Sequence, residues 1–222
     1  FAFSSELVPE EGLRTGEIEK FTALPPEFGG GFALVQYEIK PNAVLKDLRL
    51  CDIDLSNVDL RGADLTGTEF LNCNFKGANL DGANLKNAGF YGSSSGEIKG
   101  TPINLERYKL INGFLVGYGV NLNNANLEGG DFQGADVRQI NFSGANLDGC
   151  NLEGADLRQT TLYRVKGTNI TGNPKEMPEG FSLVDGFIIG PNVDLSFANL
   201  QNIVLENLNL SGALLSQANL DG

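Results

Sequence analysis

Between Ala43 and Gly92 the apolar positions recur every five residues. One column reads Leu45, Leu50, Leu55, Leu60, Leu65, Phe70, Phe75, Leu80, Leu85 and Phe90. Two residues before each of these stands a second column of mostly small or branched side chains, from Ala43, Leu48 and Ile53 to Ala78, Ala83 and Ala88. The residue between the two columns is usually Asp or Asn, as at Asp54, Asp59, Asp64, Asn74, Asn79 and Asn84. Gly or Asn returns two places after the Leu or Phe, as at Asn57, Gly62, Gly67, Asn72, Gly77, Gly82 and Asn87.

A period of five matches neither a helix at 3.6 nor a flat strand at 2. It matches a chain that runs straight briefly, turns a corner and repeats. Residues two apart in an extended stretch point the same way and the one between points away, so both apolar columns face inward and the Asp/Asn column outward. Gly and Asn tolerate the positive φ of a tight corner. Coils built this way stack through backbone hydrogen bonds at about 4.8 Å.

Segments such as Ala63-Asp64-Leu65-Thr66-Gly67 and Ala78-Asn79-Leu80-Asp81-Gly82 resemble the A-(D/N)-L-x-x unit of the pentapeptide-repeat family. The resemblance covers well over half the chain. It implies an all-β fold, a right-handed quadrilateral β-helix with four sides per coil. The repeat is structural and does not by itself specify an activity.

A longer pattern precedes each run of fives. Its copies begin at Gly16-Glu17-Ile18, Gly96-Glu97-Ile98 and Thr168-Asn169-Ile170, and each continues through prolines to an apolar stretch. This predicts an N-terminal arm or cap over 1–15 and one solenoid domain over 16–222, built of modules 16–92, 93–167 and 168–222. Asn112-Gly113 and Asp185-Gly186 lie between short apolar runs and predict β-hairpins. The first copy lacks the Gly after Val35-Gln36, which weakens the hairpin there. Segments 92–102 and 172–180, rich in Gly, Pro and Ser, read as surface loops. The intervals from Phe90 to Leu122 and from Leu162 to Leu195 are not multiples of five, so these loops are expected to bulge and restore phase. The second run of fives fails at Gly167, and the third ends in phase at Leu220. The repeats amount to about six coils, roughly 30 Å at about 4.8 Å per coil.

Charge narrows the partners. The 222 residues carry a net charge of −12 with a pI of about 4.4, which opposes direct contact with nucleic acid or an anionic membrane face. No apolar run reaches the roughly 18 residues of a membrane span, so an integral membrane protein is not expected. Cys73 and Cys150 fall in the inward column as buried thiols, and Cys51 falls outside it. The start at Phe1 reflects either a removed targeting segment or trimming.

The candidate chemistry is sparse. With no His in the chain, Ser-His-Asp and Cys-His nucleophile systems and His-based metal sites are excluded. No CxxC, phosphate-binding loop or dinucleotide fingerprint occurs, so neither a cofactor nor a metal is expected. Stacking at twenty residues sets Asp136 over Asp156, which reads either as an acid/base pair or as two positions of an exposed ladder. The ladder reading is preferred, because a convex face offers no pocket. The same stacking sets Arg49 over Glu69. Catalytic residues are therefore not expected. The aromatic residues of the two hairpins, Tyr108, Phe114, Phe181 and Phe187, are the candidate interaction residues.

These features predict a non-enzymatic scaffold that meets protein partners through its loops or ends. The form with lead-in modules resembles family members of photosynthetic bacteria and chloroplasts. That implies an assembly or accessory role at a photosynthetic membrane complex, in the thylakoid lumen if Phe1 is a processed start and in the cytoplasm otherwise. The alternative implied by the family is an acidic DNA mimic that inhibits a type II topoisomerase. Neutral Asn121, Asn126, Asn141, Asn146 and Asn151, and basic Lys46, Lys76, Lys86, Arg138 and Arg158, interrupt the acidic stripe such mimicry needs.

Overall fold

A computed structural model describes residues 17–23 and 32–221. The chain forms two compact units, 1–106 and 107–222, and in each the backbone winds into a β-helix. The arm or cap expected over 1–15 lies outside the described residues.

In the first unit, β1 (Glu17–Ala23) pairs antiparallel with β2 (Phe32–Glu38), with Glu17 opposite Glu38. No hairpin turns at Val35-Gln36, where the glycine is missing: Phe32–Glu38 is one unbroken strand, paired instead with the strand upstream. β3 (Arg49–Cys51) then pairs in parallel with β4 (Glu69–Leu71), Leu50 against Phe70. Single parallel bridges carry the same offset of twenty around the coil, joining Asp54 to Asn74, Asp59 to Asn79 and Asp64 to Asn84. The backbone bonds that stack the coils run from Leu60 N to Asn79 O at 2.9 Å and from Leu65 N to Asn84 O at 3.0 Å.

Each corner is a tight turn in which the residue after the corner donates back to the Leu or Phe, as Ala63 N does to Leu60 O at 3.0 Å. The corner residue has φ near +60°, with Asn57 at 58°, Gly62 at 67° and Asn72 at 54°. Gly and Asn take this conformation most readily and fill most corners, though Asp47, Gln139, Arg164 and Phe197 hold it as well.

The inward columns fill the coils. Leu65, Phe70, Phe75 and Leu80 are 0% exposed. Phe70 and Phe90 stack at 5.2 Å, and Phe75 meets Phe70 edge-on at 4.9 Å, a geometry that adds about 0.5–1.5 kcal/mol per pair beyond burial. Arg49 lies 3.9 Å from Glu69, in the expected register.

The pattern of five lapses after Phe90, yet the coil does not. Ser94, Lys99 and Ile103 bridge Asn74, Asn79 and Asn84 in parallel, and Ser93 and Ile98 are buried at the small inward positions. Residues 92–102, read from sequence as a bulging loop, are a degenerate coil. The backbone ladder needs only extended residues in register, not the five-residue code.

The second unit opens with a hairpin, β5 (Tyr108–Ile111) and β6 (Phe114–Gly117), turned by Asn112-Gly113. Coils follow from Val120, with Asn121 bridged to Asn141 and on to Thr161. Thr171 and Glu176 still bridge Asn151 and Asp156, so here too much of the expected loop continues the coil. A second hairpin, β7 (Ser182–Val184) and β8 (Phe187–Ile189), turned by Asp185-Gly186, precedes the last coils. Leu195 and Leu200 are buried, Leu205, Leu210 and Leu215 are half-buried, and Leu220 is exposed.

Candidate functional site

The outward Asp/Asn column has a backbone task. The N–H two residues on points out of the ladder, and the side-chain oxygen accepts it. Ser56 N donates to Asp54 Oδ1 at 3.0 Å, Lys76 N to Asn74 Oδ1 at 3.0 Å and Asp148 N to Asn146 Oδ1 at 3.0 Å. Asp and Asn are among the side chains short enough for this local bond. At two places where Asn stacks over Asp, its amide also donates down the ladder, from Asn74 Nδ2 to Asp54 Oδ1 at 3.0 Å and from Asn151 Nδ2 to Asp131 Oδ1 at 3.0 Å. This spares the column two adjacent carboxylates.

Asp136 and Asp156 do stack, as parallel bridge partners. The arginine two residues after each answers the repulsion. Arg138 reaches both oxygens of Asp136, at 2.8 and 2.7 Å, and Arg158 holds Asp156 likewise, with Nη2 at 2.6 Å from Oδ2. The side-chain bond from Arg138 holds the Asp136 carboxyl below the usual aspartate range, and the bond from Arg158 does the same for Asp156. Two carboxyls lowered together do not provide the raised acid that an acid/base pair needs. Tyr118 closes this side, its hydroxyl donating to Gln139 Oε1 at 2.9 Å and its ring lying 5.5 Å from the Arg138 guanidinium.

The cysteines of the core are unreactive by environment. Burial pushes the thiols of Cys73 and Cys150 up to about 11, and Cys150 Sγ donates to Leu127 O at 3.1 Å. Cys51 is half-buried. Among the described residues no three His, Cys, Asp or Glu side chains gather to hold a metal ion, and no helix is long and apolar enough to cross a membrane.

The hairpins carry the four aromatic residues singled out from sequence, and the structure separates them into two kinds. Tyr108 is buried at the base of β5 with its ring over its register partner Gly117. Phe181 occupies the equivalent place before β7, its ring over Gly190. Both seat a hairpin against its own other strand. Phe114 and Phe187 each follow the turn glycine and are half-buried at the hairpin tips.

What sequence reasoning missed is how the hairpins dock. Gly130 interrupts the small inward column and Gly167 the large one. A Cβ on Gly130 would lie 2.7 Å from Ile111 Cγ2, and one on Gly167 would lie 2.5 Å from Ile188 Cδ1. Each hairpin isoleucine thus takes the volume that a glycine vacates. Polar bonds fix the same placement. Lys109 Nζ donates to Gln133 O at 2.7 Å, Asn112 Nδ2 to Glu128 O at 2.9 Å and Ile188 N to Gly167 O at 2.9 Å. A glycine at an inward position was the available signal.

The five-residue pattern that defines pentapeptide repeats matches in eight copies across residues 43–90, 121–159 and 192–222, more than half of the sequence. The chain belongs to the pentapeptide repeat family. Its coils are those of the family's right-handed β-helix. Solved pentapeptide repeat structures similar to it include one from the Arabidopsis thaliana thylakoid lumen, with 23% identity and a TM-score of 0.29 over 58% of this chain and 71% of that one. Another is Rfr23 of the cyanobacterium Cyanothece 51142, with 19% identity and a TM-score of 0.27 over 61% and 86%. A third is full-length QnrB1, a plasmid-mediated fluoroquinolone resistance protein, with 17% identity and a TM-score of 0.25 over 78% and 91%. No curated protein matches the sequence.

Proposed function

We propose that this pentapeptide repeat protein is a non-enzymatic scaffold that binds protein partners through its hairpins. The observation that supports this reading is the division of labour among the hairpin side chains. Tyr108, Ile111 and Ile188 are taken up in seating the hairpins, while Phe114 and Phe187 stand half-buried at matching tips and form no core. Aromatic residues on positioned turns are the usual anchors of protein interfaces. In this reading the four five-residue sides make each coil quadrilateral, and the filled interior leaves recognition to the surface. An assembly or accessory role at a photosynthetic membrane complex is the biological setting we favour, on the likeness of the lead-in modules to family members of that setting.

Affinity capture from the native source, with the wild-type chain and a Phe114→Ser/Phe187→Ser variant side by side, tests the reading. The scaffold role expects partners retained by the wild type and lost by the variant. Partners that persist unchanged on the variant move recognition away from the hairpins.

The net charge of −12 favours a second reading, an acidic DNA mimic that inhibits a type II topoisomerase. The interleaving of Asn with Asp, and the arginines on Asp59, Asp136 and Asp156, weaken the stripe that mimicry requires. A DNA gyrase supercoiling assay separates the two, since mimicry expects inhibition at micromolar protein and the scaffold reading expects none.

A further inference from the structure

Both hairpins of the second unit dock at one corner of the coil. Asn112 bonds to Glu128 O, and Ile111 lies over Gly130. Two coils on, Gly186 packs against Asn169, and its carbonyl accepts Ile170 N at 2.9 Å. The bridges from Asn126 through Asn146, Lys166 and Asp194 to Leu214 place Gly129, Gly149, Asn169, Phe197 and Gln217, three residues further on, in one corner column.

Phe197 breaks the rule of that column. Its φ is +63° and its ring is 72% exposed. Bulky side chains disfavour this conformation, which Gly and Asn take above it, and the exposed ring gains little burial in return. Phe114 and Phe187, half-buried, follow the turn glycines of the two hairpins at the same corner. Four levels at about 4.8 Å put the upper aromatic residue on the order of 20 Å from the lower two. Between them Gly129 and Gly149 present no side chain.

Carboxylates flank the strip. Glu128, Asp131 and Glu153 are exposed, bonded to amide groups of Asn146, Asn151 and Asn173 and, among the described residues, to no cation. Lys166 holds Asp148, and Lys109 donates to Gln133 O. The four carboxylates outnumber these two lysines. On the next side Asp136 and Asp156 each carry an arginine.

We infer that this corner binds a basic helix of a protein partner, with Lys or Arg between two apolar residues about 13 positions apart. The inference rests on the hairpin reading above and names the partner's chemistry. Exposed carboxylates without cations select the opposite charge, and the aromatic residues at either end of the strip receive the apolar ones. The N–H groups of Gly129, Gly149 and Phe197 are already bonded within the stack, so an extended segment finds no free donors there. A helix satisfies its own backbone and brings a basic residue to this face each turn, about 5.4 Å against a coil step of about 4.8 Å.

Fluorescence anisotropy of the full chain with labelled synthetic peptides tests this. The probe is an alanine-based helix with two leucines at that spacing and lysines between them. Its controls replace the lysines by glutamate, or the leucines by alanine. The lysine helix is expected to bind, and each control at least tenfold more weakly. Glu128→Gln/Asp131→Asn/Glu153→Gln and Phe197→Asn should each weaken binding at least tenfold. Asn suits the corner, so Phe197→Asn should unfold no earlier than the wild type, and its loss of binding reports the ring. No binding of the lysine helix overturns the proposal. So does equal binding of either control, or unchanged affinity in Phe197→Asn. Partners captured from the native source that are lost on Phe114→Ser/Phe187→Ser yet kept by the triple carboxyl variant overturn the basic helix and leave the hairpin reading standing.

Discussion

Ile188 stands where a side chain at position 167 would stand, 2.5 Å from a Cβ built on Gly167. The second hairpin is therefore keyed into the coil by an exchange of volume. Ile188→Ala should destabilise the second unit by about 2–5 kcal/mol, the range for emptying a buried isoleucine. Gly167→Val should cost about 1–3 kcal/mol through overpacking. The pair Gly167→Val/Ile188→Ala should lose clearly less than the sum of its single changes, because one side chain refills the space the other leaves. Urea unfolding of the four proteins measures this coupling.

Corners of successive coils are coupled as well. The corner side chain of Asn57 covers the corner of the next coil at Gly77, and a Cβ on Gly77 would press into Asn57 Oδ1. Asp47 stands in the same relation to Gly67, and Asn124 to Gly144. Gly77 also has φ +71°, which costs a side-chain-bearing residue about 1–2 kcal/mol. Gly77→Ala should therefore destabilise by more than that strain alone. Asn57→Gly in the same chain should recover the steric part, as thermal unfolding of the single and double variants would reveal.

Acid should weaken the fold through its outward ladder. Hydrogen bonds from Arg61, Thr66, Arg138 and Arg158 lower the carboxyls of Asp59, Asp64, Asp136 and Asp156. A carboxyl lowered on folding adds stability that is fully present above its unfolded value, about 3.9, and is lost as pH falls through the folded value. Stability should thus be flat in this respect near neutrality and decline below about pH 4. Asp136→Asn/Asp156→Asn should flatten the decline. Unfolding free energies measured across pH 2–7 give the slope for both proteins.

The buried thiols should resist reagents while the chain is folded. With Cys73 and Cys150 pushed up to about 11, the thiolate is scarce at neutral pH and the sulfur is covered. Thiol labelling at pH 7.5 followed by peptide mapping should mark Cys51 well before the other two, and all three should react alike in denaturant.

The inward columns were legible because each five-residue side solves the same local problem. Leu65, Phe75 and Leu147 are buried where the period puts them, and Asn112-Gly113 turns a hairpin where a turn signal stands. Features that depend on a second coil were harder to read. Residues 92–102 lose the five-residue code, yet Ser94 and Lys99 stay in register because the coil below templates their backbone. The pairing of β1 with β2 carries no tight-turn signal. Ile111 and Ile188 gain meaning only beside Gly130 and Gly167, and the corner glycines only over Asn57 or Asp47. Of the four aromatic candidates, the sequence could not separate Tyr108 and Phe181, which seat the hairpins, from Phe114 and Phe187 at the tips, because that depends on which strand each ring lies over.

The claim beneath all of this is that residue i stacks on residue i+20. Scalar coupling across hydrogen bonds in solution NMR reads that pairing directly. Correlations are predicted from the amide nitrogen of Leu60 to the carbonyl carbon of Asn79, and from Leu65 to Asn84, the pairs at 2.9 and 3.0 Å. Correlations from these amides to carbonyls four residues earlier, or to a partner at any other offset, would contradict it.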